Sequence, residues 1–213
     1  MASKQQIEDF VSCARRVGQE NLTICSSGNL SIRIGDEVLV SGTGSWLPDM
    51  KAEKVSVLKF SDGTVLNGIK PSMESVFHLG VLRERDGEVN CVLHFQSPYA
   101  TAVACMKHRP DNFNFTAECP LHVGEDIPMI PYFRPGSPEL AAHVIDAMKN
   151  HNSVMLLKHG QIVCGKDFRQ ALERAMFFEM ACRIAVINRD NVNPLTRAEI
   201  EDLESYFLGK TLK

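Results

Sequence analysis

Ser26-Ser27-Gly28-Asn29-Leu30-Ser31-Ile32-Arg33-Ile34-Gly35-Asp36-Glu37-Val38-Leu39-Val40 reads as a strand, a tight turn and a second strand, and this reading decides the fold class. Leu30 to Ile34 alternates apolar and polar side chains, the period-two signature of a half-buried strand, and Gly35-Asp36 supplies the turn before Glu37 to Val40. Upstream, Ile7, Phe10, Val11, Ala14 and Val17 share one face at helical spacing, which predicts an opening amphipathic helix of about four turns. Downstream, Ser41-Gly42-Thr43-Gly44 connects to a second predicted hairpin, Val55 to Phe60 and Thr64 to Leu66, around Ser61-Asp62-Gly63.

Beyond residue 70 the pattern alternates. A helix follows Pro71-Ser72, with Met73, Val76, Phe77, Gly80 and Val81 as its expected buried stripe, and a strand ends at His94. Ser97 is placed to cap the next helix with Pro98 at its first position. Another helix follows Gly136-Ser137-Pro138, and a strand runs from Val154 to Lys158. Asp167 with Gln170, and Thr196 with Glu199, have capping-box spacing and should open the last two helices. Early hairpins followed by alternating elements imply an α/β fold, a mixed sheet flanked by helices. With 213 residues, no internal repeat and no linker-like stretch, residues 1–213 are expected to form a single domain.

Composition excludes several functions. A net charge of -3, a pI near 6.2 and no basic run leave no footprint for nucleic acid or an anionic membrane surface. No apolar run approaches the roughly 20 residues that span a bilayer, and Met1 to Glu20 does not resemble a signal peptide, so a cytoplasmic location is expected. The seven cysteines form no CxxC pair and mostly sit among apolar neighbours, as in Val89-Asn90-Cys91-Val92-Leu93; they read as reduced thiols.

Four segments place polar residues where strands give way to turns or helices. Gly28-Asn29, with Thr43-Gly44, could present N–H groups, an amide and a hydroxyl to phosphate oxygens, although ordinary turn glycines look the same. Lys70-Pro71-Ser72-Met73-Glu74 opens a helix, where an acid stays ionised and could ligate a metal or accept a proton; a bare helix-start glutamate is also common. His78, four residues on, is expected to pair with Glu74. In Leu93-His94-Phe95-Gln96, alternation sends His94 and Gln96 to the same face. Leu156-Leu157-Lys158-His159-Gly160 delivers a histidine beside a glycine, which suits a ligand and equally suits a plain strand end.

The ordered set SSGNLSIR, SGTG, KPSMES, HFQSPYATA, PYFRPGSPELA and LLKHGQIVCG resembles the class II aldolase and adducin family along nearly the whole chain, with the greatest likeness to its fuculose-phosphate aldolases. The resemblance implies a central, mostly antiparallel sheet with helices on both faces, usually in a cyclic homotetramer. It implies that His94 and His159 bind a divalent ion, most often zinc, that Glu74 is the acid/base carboxylate and also reaches the ion, and that Gly28, Asn29, Thr43, Gly44 and Ser72 hold a substrate phosphate. The implied activity is cleavage of a ketose 1-phosphate, such as L-fuculose 1-phosphate, to dihydroxyacetone phosphate and a short aldehyde. Epimerisation, dehydration or decarboxylation of another sugar phosphate is the alternative, as is a non-catalytic, adducin-like role.

Three positions depart from the family pattern. Gln96 stands where a further histidine ligand is usual and would serve the ion through a weaker amide oxygen. Met73 replaces a phosphate-binding serine and has no proton to donate. Around Phe113 to Phe115, where the aldolases carry a tyrosine, only phenylalanine appears, and Tyr206 is the candidate for their C-terminal tyrosine.

Overall fold

The computed structural model describes residues 2–189 and 191–211, with side chains described through residue 207. The first hairpin forms as predicted: β1 (Asn29–Ile34) pairs with β2 (Glu37–Ser41), aligning Ser31 with Val40 and Ile34 with Glu37. With β3 (Val55–Lys59), β4 (Cys91–Phe95), β5 (Met129–Ile130), β6 (Ser153–Leu156) and β7 (Gly160–Gly165) they make one seven-stranded sheet, ordered β3-β2-β1-β4-β7-β6-β5. Only β5 and β6 run parallel; the other neighbours are antiparallel.

Helices cover both faces because the strands are apolar on both. Phe10, Ala14 and Val17 of α1 (Lys4–Gln19), Ala100 and Val103 of α3 (Pro98–Ala104) and Ala175 and Phe178 of α5 (Phe168–Asn188) pack with Leu30, Leu93 and Phe95. On the other side, Phe77, Val81 and Leu82 of α2 (Ser75–Glu84) and Leu140 and Val144 of α4 (Pro138–Met148) pack with Val38, Val40, Val92 and Ile162. Each of the valine, leucine, isoleucine and phenylalanine side chains among them stabilises by about 1.5–3 kcal/mol relative to exposure, the alanines less. Cys91, Leu93 and Phe95 face the α1/α3/α5 layer, so alternation turns His94 toward α2. The last helix, α6 (Arg197–Thr211), opens with the expected Thr196–Glu199 capping box, both reciprocal bonds being present.

Four expectations are corrected. Thr64 to Leu66 forms no strand, only a bridge between Val65 and Leu58; the Asn67 amide bonds the Val57 N–H and the Val55 carbonyl and so takes a partner strand's place. Of the stripe expected for α2, Met73 precedes the helix and is exposed, as is Val76, while His78, Leu79 and Leu82 are buried, because the helix turns His78 inward to polar partners on β1. Ser97 occupies the N-cap of α3 without capping it; Glu179 of α5 takes that role, accepting from the Tyr99 and Ala100 N–H groups and from the Ser97 hydroxyl. The strand expected over Val154 to Lys158 stops at Leu156, and a tight turn with Lys158 at φ 60° leads into β7, a strand missed in the sequence.

All seven cysteines are free thiols, with Cys91, Cys119, Cys164 and Cys182 buried. Among the described residues no helix is long and apolar enough to cross a membrane.

Candidate metal centre

Three elements bring Glu74, His94 and His159 together. Glu74 is the N-cap residue of α2, yet its side chain makes no capping bond and turns toward the sheet. His94 is the penultimate residue of β4, and His159 sits in the β6–β7 turn, directly beside β4 because β4 pairs with β7. The ligand atoms of all three lie within 4.8 Å of one another, and Glu74 and His94 are almost completely buried.

The chemistry of this donor set fits a cation. Nδ1 of His94 donates to the Gln161 carbonyl at 2.9 Å, so Nε2 carries the lone pair. That lone pair faces Glu74 Oε2 at 3.4 Å, and His159 Nε2 faces Glu74 Oε1 at 3.6 Å. Electron-rich atoms held this close repel unless a proton or a cation lies between them. Glu74 Oε1 is buried without a hydrogen-bond partner, an arrangement that a metal ion would relieve. Burial works to raise the Glu74 carboxyl, but His94, the Asn29 amide, His159 and His78 together hold it below the usual carboxylate range. Burial, with His94 beside it, pushes His159 down to about 4 against the pull of Glu74. Near neutrality the centre therefore has an ionised carboxylate and a neutral imidazole, the forms that bind metals.

Gln96 lies at the same place, its amide Nε2 2.8 Å from His94 Nε2 and its Oε1 buried without a partner. The shared face inferred from strand alternation is what the structure shows. Gly28 borders Gln96 at φ 77°; a Cβ there would come within 2.5 Å of the Thr23 methyl and 2.8 Å of the His94 carbonyl, so packing alone demands glycine. Asn29 is buried, and its Nδ2 donates to Glu74 Oε2 at 2.8 Å. Thr43 and Gly44 form an exposed turn, with open space around Gly44 at φ 69°. That turn is stitched to the Glu74 segment: the Thr43 N–H bonds the Lys70 carbonyl, the Ser72 N–H bonds the Ser41 carbonyl, and Ser72 Oγ accepts from the Glu74 N–H.

The expected His78–Glu74 pair is replaced by an indirect link. His78 bonds Ser31 through Nδ1 and the Asn29 carbonyl oxygen through Nε2, and reaches Glu74 only through Asn29. A buried histidine one turn after the glutamate was the available signal; its partners, 47 and 49 residues away, were not. Phe113 and Phe115 pack in the α1/α3/α5 core, Phe113 meeting Phe178 at 5.8 Å. Tyr206 stands largely exposed on α6, edge-on to Phe207.

Comparison with known proteins agrees with this geometry. The family model for the class II aldolase and adducin N-terminal domain matches residues 8–186. A 3-oxo-tetronate 4-phosphate decarboxylase of Haemophilus influenzae is 33% identical over 210 residues, covering 96% of this chain and 99% of that protein. An L-fuculose phosphate aldolase of Methanococcus maripaludis (strain C7) is 28% identical, covering 84% and 95%. The crystal structure of YgbL from Escherichia coli, described as an aldolase/epimerase/decarboxylase, superposes with a TM-score of 0.86 at 28% identity, covering 94% and 98%. A carboxylate and two imidazoles gathered on a seven-stranded, helix-covered sheet, with a family match across most of its length, make this chain a member of the class II aldolase and adducin family.

Proposed function

We propose that the chain is a metal-dependent decarboxylase acting on 3-oxo-tetronate 4-phosphate or a closely similar β-keto sugar-acid phosphate. The observation that carries this reading is the 33% identity, end to end, with a decarboxylase of that substrate. It displaces the fuculose-phosphate aldolase expected from the sequence, which rests on lower identity over less of the chain. Chemistry favours the same choice. Aldol cleavage must remove a proton from the hydroxyl of the leaving aldehyde, whereas loss of CO2 has no such step. The absence of a tyrosine at Phe113 and Phe115 is therefore no defect for a decarboxylase.

In such a substrate the C1 carboxylate lies one carbon from the C3 ketone. Breaking C1–C2 releases CO2 and leaves the electron pair on C2, delocalised onto the C3 oxygen as an enediolate. One proton added at C2 gives dihydroxyacetone phosphate. A divalent cation, when bound, supplies a positive sink for the oxygen charge. His94 and His159 would hold it through Nε2, with Glu74 as a third ligand before substrate arrives and Gln96 as a weak fourth. Two imidazoles and a carboxylate suit zinc. Glu74 Oε1, the partnerless oxygen, is assigned to relay the proton from solvent to C2. Thr43, Gly44 and Ser72 would hold the phosphate, with Gly28 and Asn29 on the inner wall. A homotetramer and action in the cytoplasm complete the proposal; exposed Ile24, Trp46, Val76 and Tyr132 give subunits apolar surface to bury.

The test is to offer the metal-loaded protein 3-oxo-tetronate 4-phosphate and a panel of ketose 1-phosphates and to follow products by NMR. CO2 and dihydroxyacetone phosphate from the keto acid are expected. Aldehyde release from a ketose 1-phosphate, with the keto acid untouched, would restore the aldolase reading.

Gln96→His should tighten metal retention about tenfold or more, since imidazole is the better zinc ligand. Chelator competition measures it, and an unchanged affinity would show that position 96 does not serve the ion.

A further inference from the structure

We propose that His78 is a positioning residue for Glu74, acting through Asn29 along a hydrogen-bond chain with a fixed direction. The inference rests on the metal-dependent reading of the centre and adds residues to it that lie outside the ligand set.

The direction follows from donor and acceptor chemistry. Ser31, His78, Asn29 and Glu74 are all buried, and His78 and Ser31 have no solvent exposure. An ionised carboxylate accepts only, so the Asn29 contact with Glu74 Oε2 at 2.8 Å must come from the amide NH2. The Asn29 carbonyl oxygen then faces His78 Nε2, which must donate. A neutral imidazole with Nε2 protonated has its lone pair on Nδ1, and Ser31 Oγ, 2.8 Å away, donates to it. Burial, with His94 nearby, pushes His78 down to about 3, in keeping with a neutral ring near neutrality.

Each link fixes the next. Asn29 can offer either amide end to Glu74, and only the NH2 end bonds a carboxylate. Nε2–H of His78 selects the productive orientation, because turning the amide over would set NH2 against N–H on one side and C=O against a carboxylate on the other. Glu74 Oε2 is thereby held by Asn29, leaving Oε1 as the oxygen directed at His159. The chain starts on β1 and ends at the head of α2, so it also ties the helix that carries the acid to the strand next to β4. Asn29 consequently has a duty separate from any phosphate contact.

The test compares three variants with the wild type by two readouts, the Co2+ absorption spectrum with its chelator-competition affinity, and kcat against KM. His78→Phe keeps a flat ring of similar size and removes both polar contacts. His78→Gln keeps a donor near the Nε2 position. Ser31→Ala removes only the far end of the chain, with little change in volume. We expect His78→Phe to lower kcat at least tenfold with KM within threefold, to weaken Co2+ several-fold and to shift its spectrum. His78→Gln should recover most of the loss, and Ser31→Ala should show a smaller change of the same kind. Should His78→Phe fail to fold, as judged by circular dichroism, the other two variants decide the matter. Wild-type spectrum and kcat in Ser31→Ala, together with a His78→Gln as impaired as any other substitution, would overturn the proposal. Because the Co2+ readout needs no substrate, a wild-type protein that binds Co2+ but does not decarboxylate would refute the substrate assignment and leave this inference open to the spectral comparison.

Discussion

The His159→Ala variant is expected to lose about a thousandfold or more in kcat/KM and to be purified with little metal. The size of the effect follows from the donor set. Only Glu74, His94 and His159 offer strong ligand atoms within 4.8 Å of one another among the described residues, and Gln96 is a weak substitute. On the proposed metal-dependent reading, removing one imidazole would leave two strong ligands, and with the ion would go the sink for enediolate charge, usually among the largest catalytic terms. The fold itself should tolerate the change, because His159 is held in the turn by its backbone, its N–H bonding the Leu156 carbonyl. Metal content by plasma mass spectrometry, kinetics and a melting curve in chelator are the measurements. Full activity with a retained stoichiometric ion would remove His159 from the centre.

The second large effect is on stability. Glu179→Ala should lower it by about 2–4 kcal/mol, which for a protein of this size is a fall in Tm of roughly 6–12 °C. One carboxylate accepts the Ser97 hydroxyl at 2.6 Å, the Tyr99 N–H at 2.9 Å and the Ala100 N–H at 2.8 Å. Alanine would leave the first turn of α3 with unpaired N–H groups in a partly buried place, the usual penalty of a lost cap made larger by the number of bonds. Glu179→Gln keeps an acceptor oxygen and should lose about half as much. Thermal melts of the three proteins would decide, and an unchanged Tm in the alanine variant would mean that Ser97 or water can replace the carboxylate.

Local patterns made part of this structure legible in the sequence. The β1–β2 hairpin, α1 and the approach of β4 to His94 are set by spacing and turn residues that lie side by side in the chain, and all appear as expected. The three presumed ligands also meet, since each stands at the end of an element where side chains converge. What stayed hidden depends on distant partners. Glu179 caps a helix about 80 residues upstream of it, and His78 finds its partners on β1 across the core. Asn67 impersonates a strand, which no periodicity signals. Thr64 to Leu66 has a strand's composition, but with Asn67 occupying the outer rim of β3 only a bridge remains for it. The choice between decarboxylation and aldol cleavage, which the proposed function makes from relatives, is likewise illegible in the sequence, because both reactions would draw on the same acid and the same imidazoles.

The pairing of β4 with β7 sets His94 opposite Ile162, three residues beyond His159 in the chain. The spacing of the two imidazoles is thus gauged by that backbone ladder in the middle of the sheet and by the tight turn in which the His159 N–H bonds the Leu156 carbonyl. On the metal-dependent reading an ion would meet three side chains already gathered, and the Gln96 amide, 2.8 Å from His94 Nε2, is the group that would have to yield to it.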